Sequence, residues 1–143
     1  DEHSAIQWIR QNTGREAIIL ESAVTSCLEN PMGCSDWTSA GRFAAFTGRP
    51  TVLGWIDHER QWRNQRDNLE ERLNDVREIY STMEIETAES LLTKYHVEYV
   101  VISPREESAY GAAGLRKFAL LGEVLFPEEN TGVSSVIIYR LNR

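Results

Sequence analysis

The sequence contains little of what identifies a membrane span, a secreted leader or a nucleic-acid binder. Its 143 residues include no run of about 18 apolar residues, the length needed to cross a bilayer. Lys and Arg number 15 against 22 Asp and Glu, and the net charge of -7 disfavours binding to nucleic-acid phosphates. The opening DEHSAIQWIRQN lacks the basic start and apolar stretch of a signal peptide. We therefore expect 1–143 to be a single domain excised from a larger protein.

Cysteine is scarce, and its two copies lie close together. Cys27 and Cys34 flank a segment in which Asn30-Pro31 followed by Gly33 is a strong turn signal. Such a turn could bring the two cysteines within disulfide reach, which would indicate an extracytoplasmic domain. The alternative is a pair of reduced cysteines in a cytosolic loop. A zinc site is disfavoured because no second Cys pair or nearby His pair completes four ligands.

Complete catalytic and nucleotide-binding motifs are also missing. His58-Glu59 begins like the helix of a zinc protease, but Trp62 stands where the second His ligand would be. The glycines lack the spacing of a dinucleotide fingerprint, and there is no Gly-Lys-Ser/Thr phosphate loop. No Gly-x-Ser-x-Gly elbow presents a serine nucleophile. We therefore expect no metal site and no complete catalytic site in this chain.

Apolar periodicity predicts helices and strands in alternation. The clearest strand is Glu98–Ser103, which is rich in β-branched residues and follows a helical pattern. The predicted helices are Ala5–Asn12, Ser39–Phe46, Asn68–Thr82, Ala88–Tyr95 and Leu115–Leu121, and the other predicted strands are Ala17–Leu20, Thr51–Leu53, Glu123–Phe126 and Ser135–Leu141. We expect an α/β fold, a three-layer-like mixed sheet with crossover helices and a C-terminal β-hairpin whose turn is Pro127–Gly132.

The richest stretch of the sequence runs from Trp37 to Arg63. It holds three of the four tryptophans, four arginines, one histidine and two acids, interrupted by four Gly or Pro residues. Tryptophan faces suit sugar rings or lipid headgroups, and guanidinium forks suit phosphate or carboxylate. The predicted ligand-binding residues are Trp37, Arg42, Arg49, Trp55, His58, Glu59, Trp62 and Arg63. The alternative is that the tryptophans anchor the core and the arginines pair with the abundant acids.

The same stretch carries a family resemblance. The sequence GRFAAFTGRPTVLGW at 41–55, followed by His58-Glu59-x-Gln61-Trp62-Arg63, resembles the C-terminal soluble part of the YYY family of multi-pass bacterial and archaeal membrane proteins. Shorter matches at 75–80, 91–100 and 138–140 extend the resemblance over most of the chain. The family looks like membrane glycosyltransferases that use a polyprenyl-phosphate sugar donor.

The resemblance implies a role that depends on a membrane part. In such enzymes the acidic residues that bind a divalent metal lie in loops of the transmembrane part, so this domain would need no cofactor of its own. Its partners would be its own transmembrane region and a polyprenyl-phosphate sugar or glycan acceptor. We therefore expect an extracytoplasmic, membrane-associated domain that contributes acceptor or lipid-phosphate contacts without complete catalysis. Two alternatives are a non-catalytic docking module, which would bind another protein or the parent's membrane loops, and a small free-standing hydrolase.

Overall fold

A computed structural model describes residues 1–22, 41–54 and 66–142, except for the side chains of residues 66 and 67. This part of the chain forms seven helices and four strands. In chain order they are α1 (Glu2–Asn12), β1 (Ile18–Leu20), α2 (Arg42–Thr47), α3 (Arg66–Ser81), α4 (Ile85–Lys94), β2 (Val97–Ile102), α5 (Pro104–Tyr110), α6 (Ala112–Leu115), α7 (Phe118–Leu121), β3 (Gly122–Phe126) and β4 (Ile137–Leu141).

The strands form one mixed sheet in the order β1-β2-β4-β3. β1 and β2 are parallel, with Leu20 opposite Val100, whereas β4 runs antiparallel to both β2 and β3. Because parallel strands point the same way, β1 and β2 end at the same side of the sheet. We call this side the carboxyl edge. The first residue of β4, Ile137, lies opposite Ile102 at the end of β2, so β4 begins at this edge.

Helices cover both faces of the sheet, because successive strand residues point to opposite sides. Ile19, Tyr99, Val101 and Ile138 face α1 and α2, where they pack with Ala5, Ile9 and Phe43. Leu20, Val100, Ile102 and Tyr139 face α3 and α4, where they pack with Leu73, Val76, Tyr80, Ala88 and Leu92. Helix, sheet and helix form three layers, and the connection from β1 to the parallel β2 contains α2, α3 and α4. The expected α/β class, with crossover helices and a C-terminal hairpin, is confirmed.

The predicted strand at Thr51–Leu53 is reduced to a single bridge. Thr51 pairs in parallel with Ile19, and the Ile19 N–H donates to the Pro50 carbonyl at 3.0 Å. The carbonyl of Val52, two residues after Pro50, accepts from the Arg72 side chain at 2.8 Å. The Val52 carbonyl is therefore satisfied by the Arg72 guanidinium and not by a backbone N–H of a neighbouring strand.

The predicted helix Leu115–Leu121 is divided between α6 and α7. Gly114 packs α6 tightly against the end of α3, since a Cβ atom at Gly114 would lie 2.5 Å from the Tyr80 carbonyl oxygen. α5, absent from the prediction, begins after Ser103. The structure describes no helix that is long and apolar enough to cross a membrane within the ranges given above.

Candidate functional site

Charged side chains are buried together at the carboxyl edge. Glu21 and Glu106 have no exposed surface, and Arg42 is 7% exposed. Burying a charge is costly unless the charge is paired or hydrogen-bonded, so the partners of these groups decide whether the arrangement is stable. The group, which we call the carboxyl-edge cluster, consists of Glu2, Glu21, Arg42, Ser103 and Glu106.

Glu21, the residue after β1, holds the start of α2. One of its carboxylate oxygens accepts from the Ala44 N–H at 2.8 Å, and the other accepts from the Phe43 N–H at 3.1 Å. These are backbone donors of the first helical turn, which have no partner within the helix. Burial raises the pKa of Glu21 to about 7, although these hydrogen bonds and Arg42 favour the charged form. A carboxylate fixed at this point joins the end of β1 to α2.

Glu106 makes the corresponding connection for β2. Ser103 caps α5 with its hydroxyl, which accepts from the Arg105 N–H at 3.2 Å. The Glu106 carboxylate accepts in return from the N–H and the hydroxyl of Ser103, which completes a capping box. Its other oxygen accepts from the Ser22 N–H at 2.9 Å. Glu106 therefore ties the end of β2 to the residue that leaves β1.

Arg42 connects three helices through one guanidinium. Its Nε and Nη2 donate to Glu2 Oε1 at 2.9 and 2.5 Å, and Nη2 also donates to Ser103 Oγ at 2.9 Å. The hydrogen bonds from Arg42 lower the pKa of Glu2. Because Glu2 belongs to α1 and Ser103 caps α5, Arg42 joins both helices to α2.

The carboxyl edge also carries two buried polar atoms without described partners. The hydroxyl oxygens of Ser22 and Thr51 form no hydrogen bond within the described ranges. Such atoms are rare in folded proteins, so each calls for an explanation. Ser22 immediately precedes the stretch 23–40, and Thr51 lies three residues before Gly54, the last residue before the stretch 55–65. The two unsatisfied hydroxyls therefore belong to residues at or near the ends of described ranges, which are Ser22 and Gly54.

Arg49, a predicted ligand-binding residue, contacts the end of α1. Its Nη2 donates to the carbonyl oxygens of Arg10 and Thr13 at 3.0 and 2.9 Å. Its Nε donates to Thr13 Oγ1 at 3.1 Å, and Nη1 donates to the Thr47 carbonyl at 2.9 Å. A cation is favourable at a helix C-terminus, where carbonyls lack helical partners. These contacts give Arg49 a structural role, and ligand binding by Arg42 and Arg49 stays a prediction.

The other predicted residues lie outside the part of the chain that the structure describes. The two cysteines, for which the sequence predicts a disulfide, also lie outside the described residues. These residues are Cys27, Cys34, Trp37, Trp55, His58, Glu59, Trp62 and Arg63. Their predicted roles stay predictions.

Sequence reasoning missed the acidic members of the cluster. Ser103-Pro104-Arg105-Glu106 does carry a signal, because Ser followed three residues later by Glu is the capping-box pattern, and Pro favours the first helical position. No comparable pattern marks Glu21. A lone Glu after an apolar run is typical of a solvated strand end, and its burial depends on α2 packing over it.

Two grooves open on the described surface. The larger, about 590 Å³, lies between α4 and the end of β4 and includes Thr93, His96 and Asn142. We call it the α4 groove. The smaller, about 390 Å³, lies between α1 and the connection from β3 to β4 and includes Trp8, Gln11 and Phe126. We call it the α1 groove.

The fold belongs to the mixed α/β class, with a four-stranded sheet between helical layers. No protein-family model and no curated protein matches the sequence. Among solved structures, the chain is similar to the C-terminal globular domain of oligosaccharyltransferase from Archaeoglobus fulgidus. The TM-score is 0.55 and the sequence identity 13%, with 98% of this chain and 96% of that chain covered. This likeness shows a shared fold.

Proposed function

We propose that 1–143 is the extracytoplasmic domain of a membrane glycosyltransferase and contributes acceptor or lipid-phosphate contacts without performing the whole reaction. The observation that carries this proposal is the fold likeness, which extends over 98% of this chain and 96% of an oligosaccharyltransferase domain. The family resemblance of the sequence at 41–63 points to the same class of protein. The partner of the domain is then its own transmembrane region, which supplies the metal and the chemistry.

The carboxyl edge is the part of the domain that we assign to these contacts. Ligands of open α/β sheets bind beside the carboxyl ends of parallel strands, which is where the described chain leads into 23–40. Glu106 holds Ser22 on one side of that stretch, and Glu21 holds the start of α2 on the other. A cluster that fixes both ends of a ligand-binding segment lowers the entropy lost on binding.

The two arginines that the structure describes have a supporting role in this proposal. Arg42 and Arg49 direct their donors at protein oxygens, so they stabilise the frame around the site. Direct contacts to a sugar ring, a phosphate or an acceptor hydroxyl then fall to the other members of the predicted set. They are Trp37, Trp55, His58, Glu59, Trp62 and Arg63.

Farnesyl phosphate, a short soluble polyprenyl phosphate, tests the proposal directly. The four tryptophan indole N–H groups give separate signals in a nitrogen-proton correlation spectrum of the 143-residue chain. We expect saturable shifts of the Trp55 and Trp62 signals, with binding weakened about tenfold by Trp55→Ala or Arg63→Ala. Arg15→Ala, an exposed change elsewhere, is the control and leaves binding unchanged. Equal shifts with farnesol would exclude phosphate recognition, and absence of any shift would refute the lipid-phosphate contact.

A docking module is the second candidate, and one observation favours it. Phe46 lies within the stretch that carries the family resemblance and is 67% exposed. Aromatic side chains are enriched in protein–protein interfaces relative to the rest of a protein surface. A photocrosslinking amino acid at position 46 of the parent protein in its membrane distinguishes the two. Crosslinks to the membrane part, together with no binding of farnesyl phosphate, would favour docking alone.

A further inference from the structure

We propose that the α1 groove is a binding site for a neutral carbohydrate, with Trp8 as the surface on which a sugar ring stacks. The groove has a volume of about 390 Å³, within the usual range of about 300–1,000 Å³ for small-molecule sites. None of its described lining residues belongs to the ligand-binding set predicted from 37–63. A test of this site is therefore independent of a test of the proposed function.

Trp8 supplies a fixed apolar plate. Its indole Nε1 donates to Glu128 Oε1 at 2.9 Å, and its ring packs against Phe126 with centroids 6.4 Å apart at an angle of 52°. The side chain is half-buried and lines the groove. The C–H face of a pyranose ring is apolar and flat enough to cover such a plate. Because the indole is already oriented, little conformational freedom is lost when a ring stacks on it.

The polar lining matches the edge of a sugar ring. α1 contributes hydroxyl and amide groups at positions separated by helical spacing, and the connection from β3 to β4 contributes further hydroxyls. These groups are Ser4, Gln7, Gln11, Asn12, Thr131 and Ser134. Hydroxyls and amides can both donate and accept, as sugar hydroxyls do. Among the described residues, the side chains of Ser4 and Gln11 make no hydrogen bond, so they are available to a ligand.

The charge of the groove selects a neutral ligand over an anion. Its lining includes the carboxylates Asp1 and Glu128, and these described lining residues include no Lys, Arg or His. A phosphate, sulfate or uronic acid would therefore meet two carboxylates, and no Lys, Arg or His side chain of the described lining would compensate its charge. A lipid chain is disfavoured as well, because it would cover hydroxyl and amide groups without bonding to them. A neutral sugar satisfies both the apolar plate and the polar groups.

Hydrogen bonds between residues that are distant in sequence hold the groove in shape without a ligand. Asp1 Oδ2 accepts from the N–H and hydroxyl of Ser135 at 2.9 and 2.8 Å. Together with the Trp8–Glu128 hydrogen bond, this contact holds both walls in place. The groove is nevertheless open to solvent, so we expect weak binding, with dissociation constants of about 1 mM for a disaccharide.

Maltose, cellobiose and N,N′-diacetylchitobiose are suitable neutral probes. We expect at least one of them to shift the Trp8 indole signal and the backbone amide signals of Gln11 and Thr131 saturably. Gln11→Ala changes an exposed residue and should weaken binding several-fold, while Trp8→Phe, which keeps an apolar ring, should weaken it about tenfold. The matched control is Ser90→Ala in the α4 groove, which should leave binding unchanged.

Three outcomes would overturn the proposal. The first is the absence of a saturable shift with all three disaccharides at about 50 mM, well above the expected dissociation constant. The second is binding that persists at the same strength in both Trp8→Phe and Gln11→Ala. The third is glucose 6-phosphate binding more tightly than the neutral sugars, because the acidic lining should repel it. The spectra of folded Gln11→Ala protein keep the test valid if Trp8→Phe fails to fold.

Discussion

The carboxylate of Glu21 lies 3.8 Å from the guanidinium of Arg42, and both side chains are buried where β1 ends. Arg42 also bonds Glu2, and the buried Glu106 lies in the same cluster, so one guanidinium serves several carboxylates. Arg42 and the hydrogen bonds to Glu21 therefore offset only part of the free energy that burying the charge of Glu21 costs. Its raised pKa is the consequence, and it makes the joint between β1 and α2 sensitive to pH.

Replacing Glu21 by Gln should remove a pH-dependent loss of stability. The pKa of Glu21 is about 7 in the folded protein and reverts to its ordinary value of 4.5 in the unfolded chain. Between these values the folded protein holds a proton that the unfolded chain has released, so stability falls as pH rises. From about pH 5 to about pH 7.5, we expect wild type to lose roughly 2 kcal/mol relative to Glu21→Gln.

Urea unfolding of both proteins across this pH range measures the difference. Subtracting the two curves removes the contribution of the histidines and of other carboxylates, since they are common to both proteins. Glu129→Gln is an exposed control and should follow wild type within about 0.5 kcal/mol. Parallel curves for wild type and Glu21→Gln would contradict a raised pKa at Glu21.

Arg42→Met should be among the most destabilising substitutions in the protein. It removes the cation of a buried cluster together with its hydrogen bonds to Glu2 and Ser103, at a cost of about 3 kcal/mol near neutral pH. The double variant Glu21→Gln/Arg42→Met should recover part of this loss because one of the buried charges is removed. Urea unfolding of the four proteins of this cycle gives the coupling energy. A coupling energy near zero would mean that the two side chains do not interact.

Arg49→Ala separates a structural role from ligand binding. Loss of the hydrogen bonds to Arg10 and Thr13 should destabilise the protein by about 1 kcal/mol and speed amide exchange in the last turn of α1. Arg15→Ala, which removes an exposed arginine nearby, should stay within about 0.5 kcal/mol of wild type. Unchanged stability and unchanged exchange in Arg49→Ala would instead favour direct ligand binding by this residue.

Local sequence patterns predicted the elements whose burial is periodic. Leu69, Leu73, Val76 and Tyr80 repeat at helical spacing and are all buried along α3. The β-branched run of β2 and the turn residues before β4 likewise identified strands correctly. In each of these elements the local preference agrees with the position in the fold, which is why the sequence alone was informative.

The unpredicted features depend on residues that are distant in sequence. Thr51–Leu53 has strand composition, but the Val52 carbonyl is satisfied by Arg72, twenty positions later, instead of by a strand. Glu21 is buried because α2 begins over it, and no neighbour in sequence indicates this. The sequence pattern indicates only that Trp8, which lines the α1 groove, belongs to a helix. Its functional interest arises from Glu128, on the opposite wall of the groove.

Gly114→Ala should be strongly destabilising, although alanine is the better helix former. A Cβ at Gly114 would lie 2.5 Å from the Tyr80 carbonyl oxygen and 2.7 Å from that of Ser81, so α6 must move away from α3. This movement strains the buried Lys117, whose ammonium donates to the Tyr80 and Gly114 carbonyls, and we expect a loss of about 2–3 kcal/mol. Gly14→Ala is the matched control, because no atom lies within 4 Å of its Cβ position. It should be neutral or slightly stabilising in the same urea unfolding experiment, and equal stability of the two variants would show that α6 does not need this close approach.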